Sequence, residues 1–210
     1  MVQWGMVIDI DKCIGCQTCT ISCKVNNDVV DGVFRTQTVD YERGEYPNVN
    51  RTYLPVQCNQ CDEPKCVSAC PTDATFKNED GVVQVDAEVC TGCRSCVVSC
   101  PYGARTRIED DCEFDDDDAF EQRLKEKNTP GTIEKCDFCY DKVSDAVKEG
   151  KEPGEDPEAT PHCVNSCIGK ARYFGDLDDP NSQVAKIVAN ENVEPLHAER
   201  GTGPNIYYKK

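Results

Sequence analysis

Long apolar runs are missing from this 210-residue chain, and with them much of the material of a conventional core. No stretch approaches the roughly 20 apolar residues that a membrane helix needs, so direct membrane insertion is not expected. Residues 1–10 lack a basic n-region, a long apolar h-region and a twin-arginine pair, and no secretory leader is expected from them. Hydrophobic residues make up 38% of the chain and aromatics 7%, which is thin for one or two small domains. Positive charge is also scarce: 23 Lys and Arg stand against 39 Asp and Glu, a net charge of −16 that argues against nucleic acid as a partner. The acid excess, at Glu109-Asp110-Asp111, at 115–118 and across 149–158, reads as a solvated surface rather than a docking patch. Histidine is limited to His162 and His197, which share no spacing, and His162 beside Cys163 reads as a loop residue rather than a ligand. Nothing in the chain looks like a substrate pocket or an acid/base pair.

What the chain has is cysteine, 17 residues of it. The stretch Cys90-Thr-Gly-Cys93-Arg-Ser-Cys96-Val-Val-Ser-Cys100-Pro101 has the C-x2-C-x2-C-x3-C-P spacing with which bacterial ferredoxins hold 4Fe-4S clusters. Three thiolates in a tight loop reach three corners of one cluster, and in two-cluster ferredoxins the Cys before Pro ligates the other cluster. One quartet thus predicts another. Cys13, Cys16, Cys19 and Cys23 repeat the spacing without the Pro, and Cys58, Cys61, Cys66 and Cys70 repeat it with two extra residues and Pro71 after. A stretched fourth set consists of Cys136, Cys139, Cys163 and Cys167, leaving only Cys112 outside, as a free thiol or a packing residue. A disulfide framework has no reason to repeat this spacing, since its near-adjacent cysteines would pair only under strain. Zinc would leave the third Cys of each tight loop surplus, although the fourth set taken alone fits either metal.

The segments around the quartets read as short elements. Residues 6–10 form an apolar run suited to a buried strand, and 20–25 a helical turn or two that carries Cys23 away from its own loop. Gly15 and Gly92 let the backbone curl close to the inorganic sulfides. Residues 28–47 read as loop with some strand over 33–41, and 51–56 as a strand entering the second quartet. Residues 74–85 read as a β-hairpin with Gly81 at the turn, so that quartet, hairpin and quartet make one module over about 58–104. Residues 112–130 read as an acidic insertion with a helix over 118–126, and 150–161 as a loop dividing the fourth set, tolerable because closure entropy grows only logarithmically with length. A strand is expected over 172–176 and a helix over 182–189, with Ser182 as N-cap. Trp4 and Tyr207-Tyr208 suit either partner docking or packing, and Lys24 either offsets cluster charge or faces solvent.

The four quartets in order, with the phrases Cys13-Ile-Gly-Cys-Gln-Thr-Cys, Cys58-Asn-Gln-Cys-Asp-Glu-Pro-Lys-Cys and Cys100-Pro-Tyr-Gly, resemble the four-cluster iron-sulfur subunits of the dimethyl sulfoxide reductase family of molybdopterin oxidoreductases. The tail Gly201-Thr-Gly-Pro-Asn-Ile-Tyr-Tyr is similar to that of the arsenate and polysulfide reductase and hydroxyarene transhydroxylase small subunits. The resemblance implies an α+β fold of two nested bacterial ferredoxin-like modules with loop insertions. The outer module would take 1–50 plus 131–180, the inner one 51–109, with an acidic insertion at 110–130 and a C-terminal helix and partner-docking tail at 181–210. It implies four 4Fe-4S clusters, held by Cys13, Cys16, Cys19 with Cys167; Cys136, Cys139, Cys163 with Cys23; Cys58, Cys61, Cys66 with Cys100; and Cys90, Cys93, Cys96 with Cys70. The function implied is non-catalytic electron transfer, between a molybdopterin (Mo or W) catalytic subunit and a quinone-linked or soluble redox partner, with a membrane quinone-interacting subunit in some complexes. A free-standing polyferredoxin is the alternative. Such clusters assemble where thiols stay reduced, so folding is expected in the cytoplasm, followed by retention there or co-export with the catalytic subunit.

Overall fold

The computed structural model describes residues 2–112, 114 and 117–210. Asp115 and Asp116 of the acidic insertion lie outside the described residues. In chain order the elements are β1 (Trp4–Asp9), α1 (Thr18–Asn26), β2 (Thr36–Arg43), β3 (Asn50–Gln57), α2 (Lys65–Ser68), β4 (Thr75–Lys77), β5 (Val83–Val85), α3 (Ser95–Ser99), β6 (Thr106–Arg107), α4 (Ala119–Lys127), β7 (Ile133–Glu134), α5 (Tyr140–Lys148), α6 (His162–Asn165), β8 (Arg172–Asp176), α7 (Gln183–Asn190), β9 (Val193–Pro195) and β10 (Ile206–Lys209). This mixture of short helices and small sheets is α+β.

The apolar run near the start becomes the middle of the main sheet, whose order is β8-β1-β10-β9. Every residue of β1 is buried because both faces are covered. Trp4, Met6 and Ile8 face a core that contains Cys19, Cys58, Cys136 and Cys163, while Val7 packs against Val184 and Ile187 of α7. Ser182 caps α7 as expected, its hydroxyl accepting from Ala185 N–H at 3.1 Å. Trp4 stacks on Phe174 at 5.5 Å between ring centroids, and the Tyr208 hydroxyl donates to the Pro55 carbonyl at 2.9 Å, so both aromatics are packing residues.

The hairpin after the second quartet forms as expected, with Thr75 opposite Val85. The region read as loop with some strand is more regular than expected. Thr36 to Gln57 is one long antiparallel hairpin, paired from Thr36↔Gln57 out to Arg43↔Asn50. Buried Thr36 and Thr38 alternate with exposed Gln37 and Val39 along β2, the period-2 signal that a search for apolar runs passes over. Helix α1 packs on α6 and α2 on α3, each pair bringing two cysteine loops together. In the insertion, Asp118 caps α4, accepting from Phe120 N–H at 2.7 Å, and of the expected Phe120/Leu124 pair only Leu124 is buried.

Residues 202–208 lie largely inside the fold. Thr202 and Glu63 share a backbone hydrogen bond, as do Gly203 and Asp62, and the Asn205 side chain donates to the Gln60 carbonyl at 2.7 Å. The tail thereby clamps the loop of the second quartet and then enters the sheet as β10, parallel to β1.

A candidate iron-sulfur site

All four cysteine loops turn the same way, although their sequences differ. The second residue after the first Cys of each loop has a positive φ: Gly15 at 69°, Gln60 at 45°, Gly92 at 63° and Phe138 at 61°. A left-handed residue in such a turn lets successive amides face an anion. Such an angle costs a non-glycine residue on the order of 1–3 kcal/mol and persists only where the surroundings impose it. Gln60 and Phe138 are so imposed, each with 2% or less of its surface exposed. The Gln60 amide donates to the Cys136 carbonyl at 2.7 Å and accepts from Val83 N–H at 2.8 Å, which ties the second loop to the fourth. Phe138 packs edge-on against Phe174 at 5.4 Å. Sequence reading missed both, because it looked for glycine rather than for the position.

At the two glycines the structure adds a reason to the expected one. A Cβ on Gly15 would sit 2.3 Å from the Tyr53 ring, and one on Gly92 would sit 1.8 Å from the Gly131 carbonyl oxygen. Backbone cannot yield as a side-chain tip can. Gly92→Ala is therefore expected to cost more than the ~1 kcal/mol of a typical point substitution and to loosen the third loop. Iron content and thermal midpoint measured on the variant check this, and wild-type values for both would refute it.

The sulfurs fall into groups. Cys58, Cys61, Cys66 and Cys100 line one cavity. Cys23 lies within electrostatic reach of Cys139 and Cys163, Cys136 of Cys23 and Cys163, Cys13 of Cys19 and Cys167, and Cys93 of Cys70. Among the described residues no three such side chains converge as tightly as a single metal ion requires; a cluster holds its ligands at separate corners. Burial pushes the Cys61 thiol up to about 11 and the Cys139 thiol up to about 12, so metal loading must displace their protons. The exposed Cys16 and Cys93 differ from these: hydroxyls two residues on, Thr18 at 3.3 Å and Ser95 at 3.4 Å, lower them. They are the only exposed members of the sixteen quartet cysteines. Backbone N–H groups also reach sulfur, from Ala171 to Cys167 at 3.2 Å and from Thr75 to Cys70 at 3.4 Å. Thiol donors, amides that reach sulfur and a cavity lined by four cysteines together fit an anionic cluster.

Several expected candidates have other roles. Lys24 donates to the carbonyls of Val30 and Val33 at 2.8 and 2.9 Å and covers the Phe34 ring, so it holds its loop rather than facing a cluster. Cys112 packs beside Val29, Val30, Val33 and Ile108. His162 begins α6, with its backbone N–H directed at Cys139. Two buried arginines, Arg105 and Arg172, and the half-buried Arg35 escaped the sequence reading, although the first two follow a quartet at the same offset.

Two stretches, 12–74 and 49–123, match family models described as 4Fe-4S dicluster domains, which makes the chain a ferredoxin-like protein with four 4Fe-4S clusters. Over 99% of its length it is 38% identical to a selenate reductase subunit of Mesobacillus selenatarsenatis, covering 72% of that chain. It is 37% identical to a putative dimethyl sulfoxide reductase iron-sulfur subunit of Halobacterium salinarum, covering 79% of it. The iron-sulfur subunit of an arsenate respiratory reductase from a Shewanella species is 32% identical, with 96% of it covered. The chain belongs to the iron-sulfur subunits of the dimethyl sulfoxide reductase family of molybdopterin oxidoreductases, and it is an electron-transfer subunit. Among the described residues no helix is long and apolar enough to cross a membrane.

Proposed function

We propose that this chain carries single electrons between a molybdopterin catalytic subunit and a second redox partner, through four clusters with exchanged fourth ligands. The ligand sets are Cys13, Cys16, Cys19 with Cys167; Cys136, Cys139, Cys163 with Cys23; Cys58, Cys61, Cys66 with Cys100; and Cys90, Cys93, Cys96 with Cys70. The single observation that carries this reading is the cavity ringed by Cys58, Cys61, Cys66 and Cys100, in which a cysteine from the third quartet closes the second. The neighbours of Cys23, Cys13 and Cys93 support the other three sets. The bound clusters supply one-electron chemistry; the chain spaces them and tunes their surroundings.

The packing of α1 on α6 and of α2 on α3 supports two nested modules, 1–50 with 131–180 around 51–109, leaving 110–130 as the insertion and 181–210 as a C-terminal extension that closes the sheet. Exposure of Cys16 and Cys93 alone supports a wire that opens at the first and third loops, with the fourth and second between. In this reading the first loop faces the catalytic subunit and the third faces a quinone-linked membrane subunit or a soluble carrier. Folding takes place in the cytoplasm, and the final address follows the catalytic partner.

Expressed with the neighbouring catalytic gene, the chain is expected to co-purify with a large molybdenum- or tungsten-containing subunit through gel filtration. Recovery of the loaded chain alone, exchanging electrons freely with several enzymes, would favour a free-standing polyferredoxin instead.

A further inference from the structure

Arg105 stands five residues after Cys100, and Arg172 stands five residues after Cys167. Each is buried, with 4% of its surface exposed. Burying a guanidinium is costly unless an opposite charge compensates it. Yet the polar partners of both are neutral groups and sulfurs. Arg172 Nη2 donates to Cys19 Sγ at 3.5 Å and Thr36 Oγ1 at 3.1 Å, while Nη1 donates to Gln57 Oε1 at 2.5 Å and lies 3.8 Å from Cys163 Sγ. Arg105 Nη2 donates to Cys66 Sγ at 3.0 Å and Nη1 to Thr75 Oγ1 at 3.2 Å, and the charges of Cys58 and Cys96 act on it as well. One guanidinium is therefore shared by the first and fourth loops, the other by the second and third.

Arg35 provides an internal contrast. It is half-buried near cysteines, Cys23 and Cys136, but it forms ion pairs with Glu134 at 2.9 Å and Asp137 at 3.1 Å. Its charge is already compensated by carboxylates. That of Arg105 and Arg172 is left for the clusters.

We propose that Arg105 and Arg172 are potential-setting residues, each a fixed positive charge shared by two neighbouring clusters. A positive charge favours the more negative, reduced state of a cluster and so raises its reduction potential. Because one charge serves two clusters, it raises both members of a pair together and keeps the step between them shallow. Thr36, Gln57 and Thr75 hold the guanidinium planes in place without neutralising them. The proposal rests on the ligand sets above.

The test is a redox-poised electron paramagnetic resonance titration of the anaerobically purified, cluster-loaded chain, with signals assigned from Cys16→Ser and Cys93→Ser. Arg172→Gln is expected to lower the potentials of the first- and fourth-loop clusters by at least about 59 mV, a tenfold change in the reduced-to-oxidised ratio, and to leave the other two unmoved. Arg105→Gln is expected to do the reverse. Arg172→Lys, which keeps the charge but not the fork, should shift less than Arg172→Gln, and Arg35→Gln should shift little. Unchanged potentials in a Gln variant that retains all its iron would overturn the proposal. So would iron loss in both Gln variants, which would make these arginines purely structural. The ligand reading fails separately, if unsubstituted chain holds far fewer than about sixteen irons or if single cysteine variants empty the wrong loops.

Discussion

A Cys23→Ser chain is expected to lose the cluster of Cys136, Cys139 and Cys163 and to keep the one held by its own loop, taking iron from about sixteen to about twelve per chain. The cause is the course of α1. Leaving the first loop at Thr18, the helix turns Cys19 toward the core and carries Cys23 onward until it comes within electrostatic reach of Cys139 and Cys163. Burial holds the Cys23 thiol well above the ordinary range, so only a cluster can keep it as a thiolate there. A serine would bring a buried hydroxyl with a much weaker hold on iron. Cys112→Ser, altering a residue that packs beside Val29 and Ile108, should retain all the iron. Loss of the first-loop signal in the Cys23 variant, or of any iron in the Cys112 variant, would contradict the ligand sets.

Chain made without cluster assembly is expected not to fold, with near-UV circular dichroism lost, cooperative thermal unfolding absent and proteolysis rapid. Cys19, Cys58, Cys136 and Cys163 are among the buried residues of the main core, so the clusters take space that apolar side chains fill elsewhere. Among the described residues the longest helices have nine residues, too few to stand alone. The left-handed turns at Gln60 and Phe138 cost on the order of 1–3 kcal/mol each, a large fraction of a total of about 5–15 kcal/mol. Loading releases protons from the buried thiols, so the loaded state binds fewer protons than the unfolded one and loses stability as pH falls. A metal-free chain with a sharp unfolding transition near that of the loaded protein would refute this dependence.

The sequence made some parts of this molecule plain and hid others for physical reasons. The quartets were legible because ligand spacing in a tight loop is a local property. The strand at β1, the hairpin after the second quartet and the Ser182 cap were legible for the same reason. Strands were legible over 33–41 and 51–56, but their pairing as one long hairpin was obscured because the buried positions of β2, Thr36 and Thr38, are polar. Arg105 and Arg172 were invisible as site residues because burial of a charge is decided by parts of the chain far away, such as Gln57, which lies 115 residues from Arg172. Gln60 and Phe138 were hidden because tertiary packing, not glycine, imposes their backbone angle.

The pairing of β1 with β10 also governs when the molecule can be completed. β1 is made long before its partner, for the strand beside it ends at Lys209, and the residues that clamp the second cysteine loop, 202–205, precede that strand only slightly. Until β10 has been made, that edge of β1 is open and the second loop has no clamp. Non-local pairing of this kind is slow, and an apolar strand left waiting invites association with other chains. Closure of the sheet waits for the late strand to take its place beside the early one.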